Sequence, residues 1–196
     1  MKASLEFFIA GAIQGSREGT FGMDQEYRAT LRKIILDRYP NAIVICPLAL
    51  LKERFSQRED QARIEYERET GGELLDAKKY SPVVAEIRTA FVELTELAAQ
   101  ADVLVAYLPN QEASMGTAME MWSAYSHGRA VITITSMTRN LSIIGTSNIV
   151  LHSIADFEAF LGSDRFSELL VEGDGRIDTP TIKRCDYWKL NDNQAV

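Results

Sequence analysis

The chain has 196 residues, 46% hydrophobic and 25% charged, which is the balance of an ordinary globular domain and excludes fibrous and low-complexity classes. Lys and Arg total 21 against 28 Asp and Glu, a formal net charge of −7 that argues against a broad docking face for nucleic-acid polymers or anionic membranes. Cys46 and Cys185 stand far apart and His127 and His152 are the only histidines, so neither a disulfide framework nor a metal site is expected, and no cofactor.

No apolar run is long enough for a transmembrane helix, and Glu6 interrupts the short apolar start, so a signal peptide is not expected. The expected setting is the cytoplasm. Leu5 to Ala10 is a short Phe- and Ile-rich run ended by Gly11, which predicts a buried strand. A glycine-dotted loop follows. From Asp24, residues Tyr27, Leu31, Ile34, Ile35 and Tyr39 recur at helical spacing and stop before Pro40. Ala42 to Cys46 is a second strand. Residues 50–80 are strongly charged and broken at Gly71-Gly72, an insertion read either as a solvated helical hairpin or as a lid or dimer arm.

A long helix is predicted over 82–100, a third strand over Val103 to Leu108 and a helix over 116–128. Val131 to Thr135 and Asn148 to Leu151 read as the fourth and fifth strands, with a helix over Ile154 to Leu161. Near-continuous apolar strands alternating with helices predict a Rossmann- or flavodoxin-like three-layer α/β sandwich with a five-stranded parallel sheet. Residues 1–162 would form that domain with its insertion, and 163–196 a C-terminal extension with little structure.

In such sheets ligands bind beyond the carboxyl ends of the strands. Three loops lie there. The first is Gly11-Ala12-Ile13-Gln14-Gly15-Ser16-Arg17, where glycines admit a ligand close to the backbone and Ser16 and Arg17 offer donors to an anion. The second is Ser114-Met115-Gly116-Thr117-Ala118-Met119-Glu120. Ser114 is placed to cap a helix whose first turn holds Gly116 and Thr117, and Glu120 follows about one turn in, where the dipole favours the ionised form. An ionised carboxylate at the mouth of the sheet suits a nucleophile on a sugar carbon. The third, Thr138 to Ser142 with Gly145 to Asn148 after it, reads as a polar loop.

The stretch 101–134, ADVLVAYLPNQEASMGTAMEMWSAYSHGRAVITI, resembles the nucleoside 2-deoxyribosyltransferase superfamily: an Asp-led apolar strand, a variable loop, a Gly-Thr turn, a helical Glu and a closing G-R-x-V-I. FIAGAIQGSRE (8–18) is similar to the phosphate loop of its nucleoside 5′-phosphate N-hydrolase branch, which includes cytidine 5′-monophosphate hydrolases. The resemblance implies Glu120 as the nucleophile at the anomeric carbon, and Ser16, Arg17, Ser114 and Ser142 as phosphate ligands. Gly11, Ile13, Gly15, Gly116, Thr117 and Asn140 would complete the substrate-binding set. A Ser at 114, where the nucleoside transferases carry an Asp, implies a nucleoside 5′-monophosphate rather than a free nucleoside. The family's second acid would fall on the helix before the third strand, where Glu93 and Glu96 are the nearest acids, with Glu93 the candidate; Asp102 or a water could instead protonate the leaving base. A homodimer is implied, because Ser142's counterpart can be donated by a neighbouring subunit. Hydrolysis to free base and sugar 5-phosphate is the expected reaction; base exchange between nucleosides and a non-catalytic nucleotide-binding module stand as alternatives.

Overall fold

A computed structural model of the chain describes residues 4–13, 25–72 and 75–172. Five strands make one parallel sheet in the order β2-β1-β3-β4-β5, where β1 is Glu6–Gly11, β2 Ile43–Ile45, β3 Val103–Leu108, β4 Ala130–Thr135 and β5 Ile149–Leu151. That is the flavodoxin-like order, and the fold is the three-layer α/β sandwich anticipated above. In register, Gly11 pairs with Tyr107 and Leu108 with Thr135, so β1, β3 and β4 end close together.

The strands are apolar on both faces because both are covered. Phe7, Ile9, Val103, Val105, Ile132 and Ile134 enter one core, which is closed by helices α1 (Glu26–Arg38), α7 (Ile154–Leu161) and α8 (Asp164–Glu172). Phe8, Ala10, Leu104, Ala106 and Val131 enter the other, beneath α4 (Pro82–Gln100), α5 (Met115–Ser126) and α6 (Leu141–Thr146). Helix starts carry their local signals: Ser81 before Pro82 accepts from the Val84 amide, and Ser153 accepts from the Asp156 amide. The connection from β1 to β2 runs over the first face, and the connections onward from β2 run over the second. The sheet therefore reverses its winding between β1 and β3, the place where open sheets of this kind form a ligand crevice, flanked here by α1 and α5.

Three elements differ from the sequence reading. Residues 141–146 form α6 rather than loop, because the Asn140 side chain caps it by accepting from the Ser142 and Ile143 amides while Ile143 is buried. Residues 164–172, expected to carry little structure, form α8. Its Phe166 is fully buried against Phe7, Tyr39 and Phe160, and burying one Phe is worth about 2–3 kcal/mol, enough to fix a short helix on the domain. The insertion starts earlier than expected, with α2 (Pro47–Phe55) and then α3 (Glu59–Thr70) closed by Gly71. Phe55, Ala62, Val83 and Ala90 give this hairpin its own small core against α4.

Candidate active site

Glu120 projects from α5 into the crevice and is 8% exposed. Burial holds its carboxyl proton, pushing the pKa up to about 8, while the positive charge of Arg28 pulls the other way. The sequence reading had it ionised by the helix dipole. Desolvation wins because Glu120 lies in the second turn, beyond the reach of the dipole, and under packed side chains.

Arg28 enters from the opposite face on α1 and is 5% exposed. It donates to the Ile9 carbonyl at 2.8 Å, the Gly11 carbonyl at 2.9 Å and the Gln25 side chain at 2.7 Å, all neutral oxygens. Its charge is thus anchored to the end of β1 without being neutralised there, and its field reaches Glu120. A buried guanidinium with this geometry is rigid, so it acts as a fixed cation for the crevice.

Tyr27, next to Arg28, packs against Tyr107 in a tilted arrangement with 4.6 Å between ring centroids, and the guanidinium lies 5.1 Å from its ring centre. Its hydroxyl is buried and has no hydrogen-bond partner among the described residues. Burial pushes the phenol up to about 12, with the Glu120 and Tyr107 charges adding to that and Arg28 opposing it. A Cβ on Gly11 would meet the Tyr27 hydroxyl at 2.1 Å, so only glycine lets the ring sit there.

Ser114 caps α5, its hydroxyl oxygen accepting from the Thr117 amide at 3.3 Å and from the Thr117 hydroxyl at 3.0 Å. Both lone pairs are occupied, which leaves the Ser114 O–H as a donor beside the unpaired first amides of the helix. Gly116 rests on Phe91 of α4, and Thr117 is buried. Asn140 spends its side-chain oxygen on capping α6, and Ser142 stands exposed in the first turn.

Gly11, Ile13, Ser114, Gly116, Thr117 and Glu120 thus lie together at the carboxyl ends of β1 and β3, with Asn140 and Ser142 after the next strand, β4. Gly15, Ser16 and Arg17 lie outside the described residues. Neither proposed second acid joins the group. Glu93 is on the outer side of α4, paired with Arg54 of α2, which also reaches Glu86 at 3.3 Å. Asp102 precedes β3 and accepts from the Glu6 amide at 2.9 Å, at the amino end of the sheet. Six extended residues, about 20 Å, separate it from the crevice. Among the described residues no group of metal-ligating side chains occurs, and no described helix is long and apolar enough to cross a membrane.

Arg28 and Tyr27 escaped the sequence reading. Arg28 stands three residues before Leu31 and seven before Ile35, on the buried stripe of α1, and a basic residue in an apolar stripe was the available signal. Tyr27 read as one more apolar position.

No protein-family model matches the sequence, and neither does any curated protein. Among solved structures, a conserved protein from Enterococcus faecalis V583 superposes with a TM-score of 0.51 at 18% identity, covering 82% of this chain and 98% of that one. A 2-deoxyribosyltransferase from the psychrotolerant bacterium Bacillus psychrosaccharolyticus gives 0.48 at 17% identity, with 80% of this chain and 95% of that chain covered. The likeness is one of fold. Function rests on the crevice itself.

Proposed function

We propose that the chain is an N-glycosidase acting on a nucleoside 5′-monophosphate, with Glu120 as nucleophile. The observation that carries this reading is a buried carboxylate, within the field of a fixed cation, at the strand-order reversal.

Ionised Glu120 attacks C1′ of the sugar as the bond to the base breaks and its electron pair leaves with the base nitrogen. The base takes a proton from water, since neither Glu93 nor Asp102 reaches this end of the sheet. A second water then hydrolyses the sugar–glutamyl ester, releasing sugar 5-phosphate and restoring the carboxylate. The Ser114 hydroxyl and the first amides of α5 bind the phosphate, together with Ser16 and Arg17 of the first loop and Ser142 beyond β4. Phosphate binding far from C1′ supplies the orientation that the reaction needs. No metal or cofactor enters this scheme.

Glu120 attacks only after losing its proton, so kcat/KM should rise about tenfold per pH unit below about 8 and level off above it. Arg28 keeps that limb from moving higher.

The protein works as a homodimer in this reading. The outward side of α5 exposes Met115, Met119 and Trp122, and Leu141 and Ile144 of α6 continue the apolar strip past Ser142. Sedimentation velocity giving a dimer mass supports this, and a monomer at micromolar concentration refutes it.

The catalytic test is a panel of ribo- and 2′-deoxyribonucleoside 5′-monophosphates with their parent nucleosides, scored for free base. Release from the monophosphates that drops by about 10³ or more in Glu120→Ala is expected. Undiminished release in that variant overturns the assignment. A new nucleoside formed on adding an acceptor base would show transfer instead, and binding with no turnover would show a non-catalytic module.

A further inference from the structure

The crevice holds two polar groups to which no described residue supplies a hydrogen bond. The Tyr27 hydroxyl is buried and unpartnered among the described residues, although buried hydroxyls nearly always find an acceptor. The Ile9 and Gly11 carbonyls at the end of β1 accept from Arg28 rather than from the phenol. The ring is packed against Tyr107 with its hydroxyl seated against Gly11, where a side chain would collide. Glu120 of α5 is buried too and close enough for its charge to act on the phenol, and no described residue donates to its carboxylate.

A ligand group that satisfies both must accept from Tyr27 and donate to Glu120. A phosphate oxygen or a base carbonyl only accepts, and a phosphate would also repel the carboxylate. A sugar hydroxyl does both. With one Glu120 oxygen on C1′, the hydroxyl within reach of the other is the one on the adjacent carbon, and carboxylate contacts to a 2-hydroxyl strengthen in the transition state of glycoside cleavage.

We propose that Tyr27 recognises the 2′-hydroxyl of the sugar whose C1′ Glu120 attacks, so that the site selects ribonucleotides over 2′-deoxyribonucleotides. This rests on the glycosidase reading above. A 2-deoxy sugar leaves the phenol and the carboxylate unpaired in a desolvated crevice, and sites built around a hydroxyl discriminate strongly against analogues that lack it.

The experiment compares wild type with Tyr27→Phe on a ribonucleoside 5′-monophosphate and its 2′-deoxy counterpart bearing the same base. Alongside it, ribose 5-phosphate and 2-deoxyribose 5-phosphate are titrated calorimetrically into both proteins. The wild type should favour the ribonucleotide by at least about tenfold in kcat/KM, and Tyr27→Phe should erase that preference through the ribose arm alone, leaving the deoxyribose arm within about threefold. Equal losses in both arms would mean that Tyr27 serves only the fold or Glu120, and would overturn the proposal; so would a preference that survives the substitution. If neither nucleotide releases base, the glycosidase reading fails, and the sugar phosphates decide Tyr27 separately. Tighter binding of ribose 5-phosphate to wild type than to Tyr27→Phe, with the deoxy sugar unchanged, supports the proposal. Equal binding of both sugars by both proteins, or binding of neither, overturns it. Should Tyr27→Phe fail to fold, a wild type that treats the two sugars alike still overturns it.

Discussion

Two neighbouring helices carry glutamates of opposite fate. On α4, Glu86 and Glu93 face outward and pair with Arg54 and Arg58, clipping the insertion to the domain while water screens every charge. On α5, Glu120 faces inward, has no ion-pair partner among the described residues, and keeps its proton until about pH 8. The first arrangement neutralises charge and tolerates change. The second holds a desolvated carboxyl at a place where ligands reach such sheets, at a cost to the fold of the kind that functional sites carry. Environment, not residue type, separates a glutamate paired in water from one that holds its proton.

The largest effect is expected where that cost is removed. In the folded chain Glu120 binds its proton up to about pH 8, while in the unfolded chain it releases it near 4.5. The folded state therefore holds more protons in that window. The contribution is fully present below pH 4.5 and is lost as pH rises to 8, with a slope approaching about 1.4 kcal/mol per unit. Glu120→Gln is neutral throughout. Its melting temperature relative to wild type should climb from pH 5 to pH 8 by roughly 7–14 °C. A difference that stays flat would mean the carboxylate is already ionised and the two glutamates are alike after all.

Next is the contact that holds the crevice open. Gly11→Ala places a methyl 2.1 Å from the Tyr27 hydroxyl and 2.9 Å from the ring carbon bearing it. The ring must leave Tyr107, and overpacking of this kind costs about 1–3 kcal/mol. Removing the hydroxyl as well, in Gly11→Ala/Tyr27→Phe, should recover part of that loss, since the closest clash disappears and the ring clash remains. A double-mutant cycle from urea denaturation measures the coupling, and strict additivity would mean that the two residues do not meet.

Much of this was readable from the chain. Apolar runs such as VLVAYL locate the strands, because a parallel strand covered on both faces needs no alternation. Ser114, Gly116, Thr117 and Glu120 could be placed on one helix start because capping is local. What escaped depends on distant packing. The Glu120 pKa is set by layers that close over it from α1 and the sheet, and nothing within one helix reports that. The Tyr27 hydroxyl has no partner among the described residues, and the carbonyls of β1, a strand far back in the chain, accept from Arg28 instead. The helix α6 hid because six residues with a polar cap look like a turn, and α8 because one buried aromatic, Phe166, anchors it.

The smallest effect belongs to the outer strip, and it tests the contrast from the other side. Glu93→Gln breaks the pair with Arg54 but leaves Arg54 on Glu86, so the clip survives with one partner fewer. Both side chains are open to solvent, and at 1 M salt charges are screened within about 3 Å. The melting temperature should move by less than about 2 °C at low salt and less again at high salt. Base release should stay within about twofold of wild type, because a carboxylate occupied on the outer side of α4 does not reach a sugar held against Glu120. Loss of a true general acid would instead cost about 10²–10⁴ in rate. A deficit of that size in Glu93→Gln, with the melting temperature unmoved, would mean that the α2–α4 clip opens during turnover and delivers Glu93 to the crevice. The charged strip would then be part of the reaction cycle rather than the inert member of the comparison.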